Sequence, residues 1–212
     1  MNCPQCCGAE KMFGRGLAEH DLHNYQAHGP GKPTRLLIEA LKAAGIEGLT
    51  LLDIGGGVGA IQHELLKAGV NRATAVDASS AYLQADRQAA ERQGHTARIT
   101  YHHGDFVELA PQLPRADIVT LDKAICCYPD MRALVGLSAA RAGKLYGVVF
   151  PRDTWWMKVG SRLVNFFLRL RRNAFRMFVH PTAEVEAVIH ANGLQQRYCR
   201  KTFLWQVRVY AR

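Results

Sequence analysis

The stretch Leu51-Leu52-Asp53-Ile54-Gly55-Gly56-Gly57-Val58-Gly59 has the skeleton Asp-x-Gly-x-Gly-x-Gly and ends a short apolar run. Glycines at a strand-to-helix turn let the backbone fold tightly and let a ligand lie against it. A helix N-terminus behind them offers free N–H groups and a partial positive charge. The spacing Gly55-x-Gly57-x-Gly59 is one residue short of the dinucleotide pattern, and no Gly-Lys-Ser/Thr ending marks a phosphate loop. Asp53, ahead of the loop, would repel a pyrophosphate and suits a cation such as a ligand ammonium.

Two further strand-end carboxylates extend this chemistry. Asp77 closes the next apolar run, 24 residues after Asp53, where a carboxylate can accept both hydroxyls of a ribose. Gly104-Asp105-Phe106 closes the third, and a carboxylate beside a ring can hold an adenine. An ammonium, a ribose and an adenine together describe S-adenosylmethionine better than a nicotinamide dinucleotide.

On these residues the chain resembles the class I (Rossmann-like) S-adenosylmethionine-dependent methyltransferases, from about residue 34 to 210. The matching pieces are Leu51–Gly59, Ala75–Ser79, His103–Phe106, Asp117–Asp122 and a terminal pair of strands. The resemblance implies that Asp53, Gly55, Gly57 and Gly59 line the methionine moiety. It implies that Asp77 holds the ribose with Ala78 beside the adenine, that Asp105 and Phe106 hold the adenine, and that Asp122 lies near the sulfonium. Gly56 stands where many relatives carry Cys or another residue, a side chain not required to touch the cofactor. The implied fold is a doubly wound, mostly parallel seven-stranded α/β sheet with a terminal antiparallel hairpin. The implied activity is methyl transfer from S-adenosylmethionine. Magnesium protoporphyrin and quinone-pathway methyltransferases are looser likenesses that share no diagnostic motif with it.

Methyl transfer from a sulfonium is an in-line displacement in which positioning supplies most of the catalysis, and a base is needed only where the acceptor must lose a proton. Asp122 and Tyr128 are the candidate catalytic residues; His28, His102 and His103 read more simply as surface or packed histidines. Cys126 and Cys127 read as buried loop thiols. Arg152, close to Trp155 and Trp156, suits a carboxylate on an apolar body, with an ion pair to Asp153 as the alternative. The expected acceptor is therefore a small apolar or acidic molecule. Cys3 and Cys6 with His20 and His23 could supply four zinc ligands, but His-x-x-His is shorter than the usual finger spacing and no second Cys pair follows. A flexible thiol-bearing tail is the plainer expectation.

These residues need elements to position them. Residues 1–14 read as loop and 16–28 as helix, broken by Gly29-Pro30-Gly31; Thr34 reads as the cap of the next helix. From residue 49 short apolar runs alternate with helical stretches, which gives strands near 49–54, 73–76, 97–101, 117–121 and 143–150. Strand and helix at this spacing mean βαβ units and a parallel sheet covered on both faces. Beyond it, residues 154–172 form a basic amphipathic helix. On a wheel of about 100° per residue Trp155, Val159, Leu163, Phe166 and Leu170 share one face with Trp156 and Phe167, flanked by Lys158, Arg162, Arg169 and Arg172. A lid packing that apolar face on the core is expected first, and a membrane-surface helix second. Pro181 opens another helix, and 194–199 with 203–210 read as a hairpin whose second strand is an antiparallel edge. The domain expectation is a tail and helix over 1–33 and a methyltransferase domain over 34–212, with a lid insertion near 152–180.

The chain has 212 residues, 48% of them hydrophobic and 21% charged, which fits one globular core and excludes collagen and coiled coil. No apolar run is long enough to span a bilayer, and the N-terminus lacks a signal peptide's basic and apolar regions, so the expectation is cytoplasmic with reduced thiols. Of the net charge of +9, residues 144–212 carry +10 and the rest −1. That asymmetry suits an acidic small molecule, peripheral contact with an anionic membrane through 154–172, or, less well, RNA. The rival readings are a nucleotide-cofactor oxidoreductase, disfavoured by the glycine spacing, and a membrane- or RNA-associated binding module without catalysis.

Overall fold

Apolar side chains alternate between two destinations along each central strand, and this alternation sets the architecture. The computed structural model describes residues 4–212, and side chains from residue 5 onward except that of Cys6. Strands β1 (Thr50–Ile54), β2 (Arg72–Asp77), β3 (Ile99–His103), β4 (Ala116–Asp122) and β5 (Ala142–Pro151) pair in parallel. β6 (Gln195–Lys201) and β7 (Trp205–Ala211) complete a seven-stranded sheet of order β3-β2-β1-β4-β5-β7-β6, with β7 antiparallel to both neighbours. Leu52, Val119 and Val148 face one core, closed by α7 (Met131–Arg141) and α9 (Thr182–Ala191). Leu51, Ile118 and Val149 face the other, closed by α3 (Lys32–Ala43) and α4 (Ala60–Lys67). Both faces are covered, as near-continuous apolar strands require.

The parallel half follows the sequence reading closely. Ser79 caps α5 (Ser80–Gln93) by accepting the Tyr82 N–H, and Asp105 caps the one-turn α6 (Phe106–Leu109) by accepting the Val107 N–H.

Four local expectations are corrected. First, residues 4–12 are not a loop but a helix, α1 (Pro4–Met12), followed by α2 (Arg15–His28). Tertiary contacts hold α1 where intrinsic propensity is weak: the Gln5 amide donates to the carbonyls of Cys127 and Arg176 at 2.8 Å each and accepts the Arg176 N–H at 3.1 Å. Gly8 packs so closely on the backbone of Phe175 that a Cβ there would collide with it. Second, Gly31, not Thr34, is the N-cap of α3; the Thr34 hydroxyl instead donates to Asp122. Third, β7 is no edge. Residues 206–210 are all buried, and β6, carrying exposed Arg197, Arg200 and Lys201, is the edge that charge protects.

The fourth correction concerns α8 (Trp155–Leu170). It docks through Ser161, Leu168 and Asn165, whose amide exchanges two 2.8 Å hydrogen bonds with the backbone of Met177. Its apolar face therefore points outward: Trp155, Val159, Leu163, Phe166, Phe167 and Leu170 are exposed. The widest apolar stripe lost to the narrower one because only the latter carries a side chain that satisfies the buried backbone of the 175–178 segment. Among the described residues no helix is long and apolar enough to cross a membrane.

Candidate active site

The carboxyl ends of β1, β2, β3 and β4 open on a cavity of about 780 Å³, lined also by residues of α1, α2 and α8. Its wall includes Gly55, Gly57, Asp77, Ala78, Asp105, Phe106 and Asp122, all singled out in the sequence. Asp53 and Gly59 lie behind this wall rather than on it.

The glycine loop owes its shape to left-handed backbone, with φ of +66° at Gly55, +59° at Gly57 and +76° at Gly59. A Cβ at Gly57 would meet only the edge of the Tyr82 ring, at 3.5 Å, so the space above the loop is cavity. Gly56 is more constrained than the sequence suggested, since a Cβ there would collide with Asp53 Oδ2. Asp53 is fully buried. Its Oδ1 accepts the Thr120 hydroxyl at 2.6 Å, while Oδ2 has no partner among the described residues. Burial, reinforced by the nearby Asp122, Asp86 and Asp77 carboxylates, pushes its pKa up to about 7. An orphaned carboxylate oxygen beneath a bare glycine turn is a fit for a ligand cation.

Asp77 accepts the Ser79 N–H at 2.8 Å and the Gly57 N–H at 3.2 Å, tying the end of β2 to the glycine loop. Burial pushes its pKa up to about 6. Asp105, also buried, accepts the Tyr128 hydroxyl at 2.9 Å, so the Tyr128 phenol proton is committed to holding that carboxylate in place. Asp77, Ala78, Asp105 and Phe106 lie on one side of the cavity, and their donor and acceptor types fit a ribose and an adenine.

The rest of the lining is largely apolar, with Met12, Phe13, Val164, Leu168, Phe175 and Met177, of which Phe13 adjoins Ser79 and Tyr82. One polar cluster interrupts it. Asp122 Oδ2 accepts from Thr34 Oγ1 at 2.6 Å and from Lys123 Nζ at 3.0 Å, and Lys123 also donates to Thr34 at 2.9 Å. Asp122 Oδ1 is buried without a partner among the described residues. Lys123 holds a left-handed φ of +60°, unusual for a residue with a side chain, and its ammonium lies 5.8 Å from the centre of the Trp205 ring. It is the one Lys or Arg among the described residues on the cavity wall, against four aspartates, Asp21, Asp77, Asp105 and Asp122.

The cation on the cavity wall is Lys123 and not Arg152, the residue to which the sequence pointed. The Arg152 guanidinium donates to the carbonyls of Thr202 and Phe203, at the turn between β6 and β7, and is not on the cavity wall. Trp155 is exposed, and Trp156 stacks on Phe203 with ring centres 5.0 Å apart. Asp153 pairs with Lys158 instead of Arg152. Cys126 and Cys127 are packed with sulfurs 3.8 Å apart, and their mutual hydrogen bond with burial raises the Cys127 thiol well above its usual range. His28 lies on the wall; His102 and His103 do not. Of the zinc set, Cys3 and the Cys6 side chain lie outside the described residues, His20 is held by Asn24 at 2.9 Å, and His23 is exposed.

Behind Gly59 sits a cluster the sequence did not announce. Asp86 is buried 3.0 Å from His63, which meets His95 at 3.1 Å, and Tyr101 donates to the same carboxylate at 3.2 Å. A Cβ at Gly59 would collide with Asp86, so this cluster fixes the back of the loop. Its members are dispersed over α4, α5, the connection that follows α5 and β3, and no local pattern joins them.

Comparison with known proteins agrees with this geometry. Residues 51–141 match the family described as a methyltransferase domain. Among curated proteins, a ribosomal protein L11 methyltransferase of Edwardsiella ictaluri is 29% identical over 57% of this chain and 43% of its own length. A ubiquinone biosynthesis O-methyltransferase of Paramagnetospirillum magneticum is 29% identical over 71% of this chain and 61% of its own. The chain thus spans less than two thirds of either. Among solved structures, magnesium protoporphyrin IX methyltransferase of Synechocystis, with bound S-adenosylhomocysteine, superposes over 98% of this chain and 99% of its own with a TM-score of 0.73 at 18% identity. An O-methyltransferase family protein of Burkholderia thailandensis gives the same TM-score over 97% of this chain and 61% of its own, at 16% identity. With its glycine loop, strand-end carboxylates and sheet order, the chain carries a methyltransferase domain over residues 51–141 and has the class I, Rossmann-like methyltransferase fold.

Proposed function

We propose that the chain transfers the methyl group of S-adenosylmethionine to a small acceptor with an apolar body and an ionisable oxygen, at the surface of a membrane that it contacts through residues 154–172. The observation that carries this reading is one cavity whose lining joins two unlike chemistries: strand-end carboxylates with bare glycines, and apolar side chains with one lysine. The cofactor, when bound, supplies an electrophilic sulfonium methyl and a neutral thioether leaving group. The chain's own residues do the rest. Asp53 and the glycine loop receive the cationic end, while Asp77, Ala78, Asp105 and Phe106 receive the nucleoside. Tyr128 positions Asp105 and takes no proton itself. Lys123 has three donors, two of them engaged by Thr34 and Asp122, and the third is available to an anionic oxygen. The Asp122 carboxylate would take the proton of an acceptor hydroxyl, and Lys123 would steady the resulting anionic oxygen. Relatives named for magnesium protoporphyrin IX and for ubiquinone biosynthesis support a small-molecule acceptor.

Two measurements test this reading. Calorimetry with S-adenosylhomocysteine should show binding that Asp77→Ala weakens at least tenfold, because two charge-assisted hydrogen bonds worth roughly 1.5–3 kcal/mol each are lost. Unchanged affinity in a folded Asp77→Ala protein removes Asp77 from the site. On the acceptor side, Lys123→Met should lower kcat/KM by about a hundredfold while cofactor affinity stays within about twofold, since its contacts are Thr34, Asp122 and the Trp205 ring and none of the nucleoside residues. Parallel loss of both would make Lys123 a support for the cofactor. Arg152→Ala should leave kcat/KM within about threefold.

A further inference from the structure

We infer that the outer face of α8 and the turn between β6 and β7 together form a docking surface for an anionic lipid bilayer, from which the acceptor reaches the cavity. The docking half of this inference stands on surface geometry; the delivery half rests on the acceptor reading of the cavity given above.

The surface is built from two elements. Along α8, Leu163, Phe166, Phe167 and Leu170 are between 56% and 65% exposed, and Trp155 is 76% exposed. At the turn, Phe203 is 76% exposed with Leu204 beside it. Stacking of Trp156 on Phe203, and the Arg152 bonds to the carbonyls of Thr202 and Phe203, join the two elements into one patch. Isolated exposed apolar residues are ordinary, but a contiguous aromatic patch on one helix face is not. Arg162, Arg169, Arg171 and Arg172 border it, all exposed, along with Lys158, which pairs with Asp153, and no acidic residue occurs between Asp153 and Glu184.

The chemistry of the border selects the occupant. A second copy seated face to face would bring like-charged borders together. Single-stranded RNA could stack on Trp155 and Phe166, but would leave Val159, Leu163 and Leu170 in water. A bilayer with anionic headgroups satisfies both parts: aromatic and aliphatic side chains enter the acyl boundary while the cations meet the headgroups. A helix of this kind lies flat in the interface and does not span it.

The opposite side of the same helix supplies Val164 and Leu168 to the cavity wall. One helix thus separates bilayer from cavity. An apolar acceptor dissolved in the bilayer reaches Lys123 without crossing bulk water.

The test is co-sedimentation with phosphatidylcholine vesicles, with and without phosphatidylglycerol, alongside calorimetry with S-adenosylhomocysteine. The wild-type chain should pellet with the anionic vesicles and remain in solution with phosphatidylcholine alone. Phe166→Ser/Phe167→Ser/Leu170→Ser and Arg162→Glu/Arg169→Glu/Arg172→Glu should each lower the bound fraction roughly tenfold or more. Both variants alter exposed side chains, and native S-adenosylhomocysteine affinity will verify that each is folded. No pelleting of the wild type at low salt would overturn the inference, as would pelleting that neither variant diminishes. Retention on poly-uridine RNA or self-association, lost in the variants while vesicles are ignored, would assign the patch to RNA or to a second copy and overturn it equally. A chain that pellets but binds no S-adenosylhomocysteine would keep the docking surface and refute the methyl-transfer reading instead.

Discussion

Gly57→Val should abolish measurable S-adenosylhomocysteine binding, with a loss of a hundredfold or more, while the protein still folds. Two effects act at this position. The backbone sits at φ +59°, which a β-branched residue adopts only at a cost of about 1–2 kcal/mol. The new side chain would also project into the cavity, since only the Tyr82 ring edge stands near a Cβ there. Gly45→Val separates the two. Gly45 has φ +80° and open space around it, so it bears the backbone strain alone. Both variants should lose a similar amount of stability in urea unfolding, and only Gly57→Val should lose the ligand. Retention of native affinity by Gly57→Val, or equal loss in Gly45→Val, would remove the loop from the site.

Asp53→Asn should stabilise the ligand-free protein at neutral pH and weaken the cofactor at the same time. Burial holds the folded-state pKa of Asp53 at about 7, against an unfolded value near 3.8. Between those values the folded chain keeps a proton that the unfolded chain has released. The stabilisation is therefore complete below about pH 4 and is lost as pH rises through 7, by about 4 kcal/mol at most from this group. Asp77, with a pKa pushed to about 6, adds a smaller change of the same sign. Urea midpoints of the ligand-free wild type should thus fall between pH 5 and 7.5. Asp53→Asn removes the ionisation and keeps an oxygen for Thr120, so its slope should be shallower and its stability at pH 7.5 higher by about 2 kcal/mol. An Asn variant with the same slope as the wild type would show that Asp53 titrates normally; comparing the two slopes cancels the opposite contribution of His95 and His180, whose pKa values burial lowers.

The parallel half of the sheet was legible because its determinants are local. Apolar runs ending at Gly55, Asp77, Asp105 and Asp122 each announce a strand, its end and a functional side chain within a few residues. The failures share the opposite property. Whether Thr34 caps a helix or contacts Asp122, 88 residues away, depends on how α3 packs. Burial of Arg208 on β7 follows from β6 lying outside it, with Gln196 of β6 and Glu186 of α9 pairing with the guanidinium. The wheel of α8 showed two usable faces, and the choice was made by Asn165 bonding Met177 rather than by hydrophobicity. Arg152 and Lys123 both stand just beyond a strand, but only Lys123 turns through a left-handed backbone onto the cavity wall.

Four aspartates and one lysine on the wall, with Asp53 beneath, also bear on the order of events in a catalytic cycle. The donor arrives with a positively charged sulfur and leaves as an uncharged thioether. A wall with excess negative charge attracts the first more than the second, so the electrostatic part of binding is spent when the methyl group departs. Ionic strength therefore acts unequally on the two: screening weakens the hold on the donor and scarcely alters the hold on the spent product. Sensitivity to product inhibition, on this account, is set as much by the surrounding salt as by the contacts that the two molecules share.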